Sequence, residues 1–121
     1  MLFIKDLVPT ASNSVNTRFI VLNKYNMGKD TGPQRTCLAL VADETAAVNF
    51  QLWGSECDAI QAGDIIRLHN GIFSYHRGKL VLRAGKKGKI EKVGEFTMLF
   101  VESPNMSEMA APAVVKAIRD P

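Results

Sequence analysis

An all-β barrel is the fold this 121-residue sequence predicts, and three observations carry the prediction. Short β-branched apolar runs recur along the chain, clusters of Gly, Pro, Asn and Asp fall between them, and only one internal segment has helical character. The length is that of one domain with one core. With 46% hydrophobic and 22% charged residues, the composition is that of a globular protein and not of a disordered tail.

The elements follow in order. Arg18-Phe19-Ile20-Val21-Leu22 is the first strand pattern, and it stops before a loop over 26–33 that carries Gly28, Asp30, Gly32 and Pro33. Strand character resumes over 35–41, and Asp43-Glu44-Thr45 reads as a solvated turn. Residues 48–53 alternate cleanly and close a hairpin. Residues 54–62 offer roughly two helical turns, with Cys57 and Ile60 on one side and Ser55 as N-cap. Gly63-Asp64 then opens Ile65-Ile66-Arg67-Leu68, another strand. Asn70-Gly71 marks a turn or bulge, after which 72–76 pairs with 79–83 across Arg77-Gly78. Gly85-Lys86-Lys87-Gly88 is a further tight loop, and 96–101 supplies a last strand.

Three strands, a short helix and then further strands is the order of an OB-fold, a five-to-seven-stranded Greek-key barrel with one short helix after strand 3. An SH3-like barrel or a five-stranded sandwich competes, but neither places a helix at that point. Residues 1–17 read as an N-terminal arm whose Phe3, Ile4 and Leu7 pack on the barrel. Residues 18–103 form the OB-fold domain, and 104–121 a short flexible C-terminal tail.

Net charge is only +3, but its distribution is uneven. Residues 65–90 hold seven basic residues (Arg67, Arg77, Lys79, Arg83, Lys86, Lys87, Lys89) and no carboxylate; the remaining eight Lys and Arg face all twelve Asp and Glu, a balance of −4. Such asymmetry is the sequence footprint of a polyanion-binding face. The plain alternative is a solvated sheet with basic residues outward, which a run of seven without counter-charge disfavours. Met1-Leu2-Phe3-Ile4 meets Lys5 and Asp6 before a secretory apolar stretch develops, and no run approaches the ~20 residues of a membrane span. No membrane association is therefore expected. Cys37 and Cys57 form no CxxC pair and read as small buried hydrophobes of a reduced protein.

Catalytic signatures are missing. There is no GxSxG, HExxH, DxDxDG or Walker pattern; Gly85-Lys86-Lys87-Gly88-Lys89 lacks the Walker spacing and its Ser or Thr. His69, His76 and the two cysteines match no standard zinc spacing, so no metal site and no cofactor is expected. Nothing argues for an enzyme.

Recognition has better support. In Val48-Asn49-Phe50-Gln51-Leu52-Trp53, alternation sends Val48, Phe50 and Leu52 to the core and Asn49, Gln51 and Trp53 to the other face. An outward Trp on a polar face suits base stacking, worth ~1–3 kcal/mol per base; the competing reading has Trp53 covered by the following helix. In the second hairpin Leu80 and Leu82 face inward, and Lys79, Val81 and Arg83 outward. A register change at Asn70-Gly71 turns Phe73 and Tyr75 to the core and Ile72, Ser74 and His76 to the ligand face. Ile72, His76 and Arg83 then offer apolar, ring and guanidinium contact, although His76 also reads as a plain surface histidine. Lys29 and Arg35 from the first loop, Arg77 and Lys79 at the hairpin, and Lys86 and Lys87 complete the candidate nucleic-acid-binding set, the two lysine loops flanking the face.

The segments Phe3-Ile4-Lys5-Asp6-Leu7, Phe19-Ile20-Val21-Leu22, Arg35-Thr36-Cys37, Val41-Ala42-Asp43, Gly63-Asp64-Ile65-Ile66-Arg67-Leu68 and Val93-Gly94-Glu95-Phe96 resemble the DNA-binding subunits of the SOSS complex. That family comprises simple single-OB-fold eukaryotic single-stranded DNA-binding proteins. The resemblance runs over about residues 3–108, nearly the whole chain. It implies single-stranded DNA binding in the nucleus, in the DNA-damage response, and docking on a large scaffold subunit shared with the Integrator complex. Of four stacking aromatic positions in the family, only Trp53 keeps its ring here; the others fall on Ile72, His76 and Arg83, which implies a weaker ladder. The scaffold-binding position is retained as Glu95-Phe96. The family's long Gly/Pro/Ser-rich tail is replaced by a short Ala/Pro segment. Two further readings stay open on the residues alone: an OB-fold RNA-binding accessory protein and a protein-interaction adaptor with an incidental basic face.

Overall fold

Alternating apolar residues can bury one face only by pairing laterally into a sheet that curls on itself, and the strand pairing here does that. The computed structural model describes residues 1–26, 36–76 and 78–109. Its strands are β1 (Val15–Asn26), β2 (Thr36–Ala42), β3 (Ala47–Trp53), β4 (Asp64–His76), β5 (Lys79–Arg83) and β6 (Lys89–Glu95); one-turn helices α1 (Glu56–Ala59) and α2 (Met106–Met109) follow β3 and β6. The sheet order is β1-β2-β3-β5-β4-β6, with β1 also paired to β4. That extra pairing closes β1-β2-β3-β5-β4 into a barrel, the OB-fold arrangement. Among the paired strands described, only β3 and β5 run parallel. β6 continues β5 along β4 after the turn at 84–88: Arg83 lies opposite Ile72, and Lys89 opposite His69.

The bulge expected at Asn70-Gly71 is present. Between Thr17↔Leu68 and Val15↔Gly71, β4 carries one residue more than β1, and Asn70 takes the left-handed φ of 53°. The insertion flips parity: Ile66 and Leu68 point into the barrel before it and Phe73 after it. Phe19 and Phe50 meet in the core with ring centroids 5.2 Å apart. Ile4 and Leu7 from the N-terminal arm, whose residues 4–6 form a 3-10 turn, join the core near the β2–β3 hairpin, and Cys57 and Ile60 join it from the α1 side. Cys37 is buried as well, whereas Phe3 is exposed, contrary to expectation.

Asp43 is a correction with consequences. Far from being a solvated turn residue, it is 3% exposed. Its carboxylate accepts hydrogen bonds from Ile4 N at 2.8 Å, Thr45 N at 2.8 Å, Thr45 Oγ1 at 2.6 Å and Ala46 N at 3.2 Å. Its carbonyl accepts Val101 N at 2.9 Å. One side chain thus ties the β2–β3 hairpin to the N-terminal arm, and its backbone reaches the C-terminal segment.

The last strand is also displaced from where apolar content puts it. Residues 96–101 form no strand, and the paired segment is the charged Lys89–Glu95. β6 is an edge strand bonded to β4 alone, and charges on such an edge discourage further pairing. Beyond it, Pro104 O accepts from Ala47 N at 2.9 Å, Asn105 bridges Ala47 in parallel, and Ser107 Oγ accepts from Asn49 N at 2.8 Å. Residues 104–109, read from sequence as the start of a flexible tail, instead dock beside β3, and α2 touches both β3 and β5.

Candidate nucleic-acid interface

The outward face is built by cross-strand rows, since directly opposed residues share a face of the sheet. In one row Thr36 lies opposite Trp53. In the next, Tyr25 opposes Leu38, Leu38 opposes Gln51, Gln51 lies beside Arg83, and Arg83 opposes Ile72, so five strands contribute one residue each. A third row joins Asn23, Leu40 and Asn49. The hairpin end adds His76 opposite Lys79.

Trp53 is 57% exposed at the end of β3. The helix that follows does not cover it: Glu56 reaches back with Oε1 to accept the Trp53 backbone N–H at 3.0 Å, and the ring is left outside. Asn49, Gln51, Ile72 and Arg83 are half-buried on the same face, while His76, Lys79, Lys86 and Lys87 are exposed. Lys29, Arg35 and Arg77 lie outside the described residues.

Two outward or inward assignments change. Tyr75 shares the inward parity of Phe73 and lies opposite the buried Leu80, but β1 pairs with β4 only as far as Gly71 and Tyr75 is exposed. Val81 has outward parity, yet with α2 against β3 and β5 it is 4% exposed. The docked segment therefore occupies the hairpin side of the face, and Lys79 faces Glu108 at 3.6 Å in an exposed pair worth at most ~1 kcal/mol. The accessible part of the face is the Trp53 side.

The basic run of the sequence divides in space. Arg67 and Lys89 belong to the β4–β6 wing, where β6 brings carboxylates that the run itself lacks. Glu91 lies opposite Arg67 and bonds His69 Nε2 at 3.1 Å. The hydrogen bond from His69, with Lys89 and Arg67 adding attraction, holds the Glu91 carboxyl below the usual carboxylate range. Lys92 meets Glu95 at 2.6 Å and Asp64 at 3.2 Å, and these partners raise its pKa above the ordinary lysine value. Arg83, Lys86 and Lys87, like Arg67 and Lys89, form no ion pair among the described residues, but Arg67 and Lys89 attract the Glu91 carboxylate.

Glu95 and Phe96 lie at the end of the wing. The Phe96 ring is 74% exposed, its φ of 60° is left-handed, and its N–H bonds Gly63 O at 2.9 Å. Gly63 has to be glycine there: its φ is +95°, and a Cβ would stand 2.0 Å from the Phe96 ring. Leu99, Phe100 and Val101 continue an exposed apolar stretch.

Reasoning on sequence missed Tyr25, Leu38 and Leu40. The signal for the leucines was there, because residues 36–42 are apolar at nearly every position and not only at alternate ones.

A family model described as single-stranded DNA binding protein Ssb-like, OB fold, matches residues 10–92. The single-stranded DNA binding protein Ssb of Saccharolobus solfataricus is 35% identical over 57 residues, 47% of this chain; the match spans only 38% of that relative's length. A solution structure of a hypothetical protein from Arabidopsis thaliana superposes with a TM-score of 0.73 at 20% identity, covering 88% of this chain and 81% of that one.

Proposed function

The chain belongs to the Ssb-like, OB-fold family of single-stranded DNA binding proteins, and we propose that it binds single-stranded DNA across β2, β3 and β5, as a binding subunit and not as an enzyme. The observation that carries this reading is the exposed Trp53 beside rows of apolar and amide side chains, with Arg83 in one row, exposed Lys86 and Lys87 in the turn after it, and no ion-pair partner for the three among the described residues. A solvent-facing sheet face is expected to be polar. Stacking on Trp53, packing on Ile72 and guanidinium contact from Arg83 would hold bases, while Asn49 and Gln51 offer hydrogen bonds to base edges. Lys86 and Lys87 would meet phosphates, with Lys29, Arg35, Arg77, Lys79 and His76 as further contributors.

Trp53 is the one tryptophan of the chain, so its fluorescence reports the site directly. Titration with a dT oligomer is expected to quench it. Three to five phosphate contacts give a log–log salt slope of about −2 to −3.5. Unchanged fluorescence at low salt would remove the reading.

The narrower assignment is a subunit of a SOSS-like DNA-damage-response complex in the nucleus, joined to a large scaffold subunit shared with Integrator through Glu95 and Phe96. In its support, Phe96 sits in a left-handed backbone conformation that leaves most of its ring in solvent. A Phe96→Ala protein should lose such a scaffold in co-purification while binding oligonucleotide normally; retention of the scaffold counts against the assignment.

A further inference from the structure

β1 runs four residues beyond its apolar segment, and that extension brings an aromatic ring to the face just described. Asn23-Lys24-Tyr25-Asn26 has no β-branched residue, yet it stays in the sheet because β2 pairs with it: Asn23↔Leu40, Lys24↔Ala39, Tyr25↔Leu38, Asn26↔Cys37. Lys24 turns the other way and donates through Nζ to the carbonyls of Cys57, at 2.6 Å, and Ile60, at 2.9 Å, fixing the strand against α1. Tyr25, its neighbour, points to the outer face and is 42% exposed. Leu38, directly opposite, and Leu40 are apolar on that same face, where an ordinary solvated sheet carries polar residues.

We infer that Tyr25 is a second base-stacking position, extending the nucleic-acid track from Trp53 on β3 across Leu38 to β1. The inference rests on the binding function proposed above and adds to it a residue and a direction. Two strand spacings separate the backbones of Tyr25 and Gln51, about 10 Å, and Trp53 lies a further two residues along β3. Among the described residues the two rings form no aromatic pair, so Tyr25 and Trp53 are assigned to different bases, with the DNA strand crossing the sheet laterally between them over Leu38. On the β4–β5 side Ile72 and Arg83 offer no aromatic ring to that face, and Tyr25 supplies one on the opposite side.

The test compares wild type with Tyr25→Ala, Tyr25→Phe and Trp53→Ala in binding a dT oligomer of about ten nucleotides, within the span an OB fold covers. Tyr25→Ala is expected to weaken binding about five- to hundred-fold, with only a small drop in melting temperature because the ring is partly exposed, and Tyr25→Phe to stay within about twofold of wild type. If Trp53→Ala weakens binding and Tyr25→Ala does not, this inference alone is overturned. Equal losses in Tyr25→Ala and Tyr25→Phe overturn stacking in favour of a hydroxyl contact. If wild type itself fails to bind, the functional reading fails and takes this one with it.

Discussion

The β2–β3–β5 face and the β4–β6 wing draw on the same cationic stretch of sequence and surround it differently. On the wing, carboxylates of β6 stand among the charges: His69 bonds Glu91, Arg67 and Lys89 attract that carboxylate without forming an ion pair among the described residues, and Lys92, just past the stretch, reaches both Asp64 and Glu95. On the face, Arg83 lies beside Gln51 and opposite Ile72, the lysines of the turn that follows are exposed, and none of the three has an ion-pair partner among the described residues. Positive charge by itself therefore marks neither region. Unmatched charge next to outward apolar rings distinguishes the face, because both features cost the free protein something that a polyanion with stackable bases would relieve.

The largest effect expected from substitution lies beneath both regions. Asp43→Ala strips four hydrogen bonds and leaves the buried N–H groups of Ile4 and Ala46 unpaired, so a loss of about 3 kcal/mol or more is expected in denaturant unfolding. It should destabilise face and wing together; a protein that keeps its full stability would show that the arm is not held in this way.

Next in size, Trp53→Ala should cost ~1–3 kcal/mol of single-stranded DNA binding, whereas Lys92→Ala on the wing should leave affinity nearly unchanged. Equal losses from both would erase the distinction between the regions. Smaller again, Lys86→Ala should lower the salt slope by about 0.7 for each phosphate no longer neutralised, without changing base preference. His69→Ala, on the wing, should leave that slope alone.

The smallest effect is a pH dependence confined to the wing. Because Glu91 is held below its ordinary value of 4.5, its contribution to stability is complete above that value and is lost as pH falls through the lower, folded-state pKa. The Glu91→Gln protein should lack this acid-side component when unfolding is followed across that window, and binding by the face should be indifferent to the change.

The parts of this molecule legible in sequence are those governed by local alternation. The β3 pattern separated Val48, Phe50 and Leu52 from Asn49, Gln51 and Trp53, and the parity switch at Asn70-Gly71 was visible because Phe73 falls out of step with Ile66 and Leu68. Readings failed where a distant partner decides the outcome. Tyr25 belongs to a strand only because β2 lies beside it, and β6 is a strand only because β4 offers an edge. The apolar 96–101 segment finds no such edge. Tyr75 has the right parity but lies past the β1–β4 pairing and is exposed, while Val81 has outward parity and is buried where α2 lies against the sheet. Asp43 looks like any turn carboxylate until the N-terminal arm, some forty residues earlier in sequence, supplies Ile4 N.

Backbone amide chemical-shift mapping during titration with a dT oligomer tests the central claim most directly, since it reads both regions in one experiment. Perturbations are expected to gather on Tyr25, Leu38, Gln51, Trp53 and Arg83, together with the indole N–H of Trp53, while Lys89–Glu95 stays silent. Perturbations concentrated on Lys89–Glu95, with Trp53 and Gln51 unmoved, would contradict it.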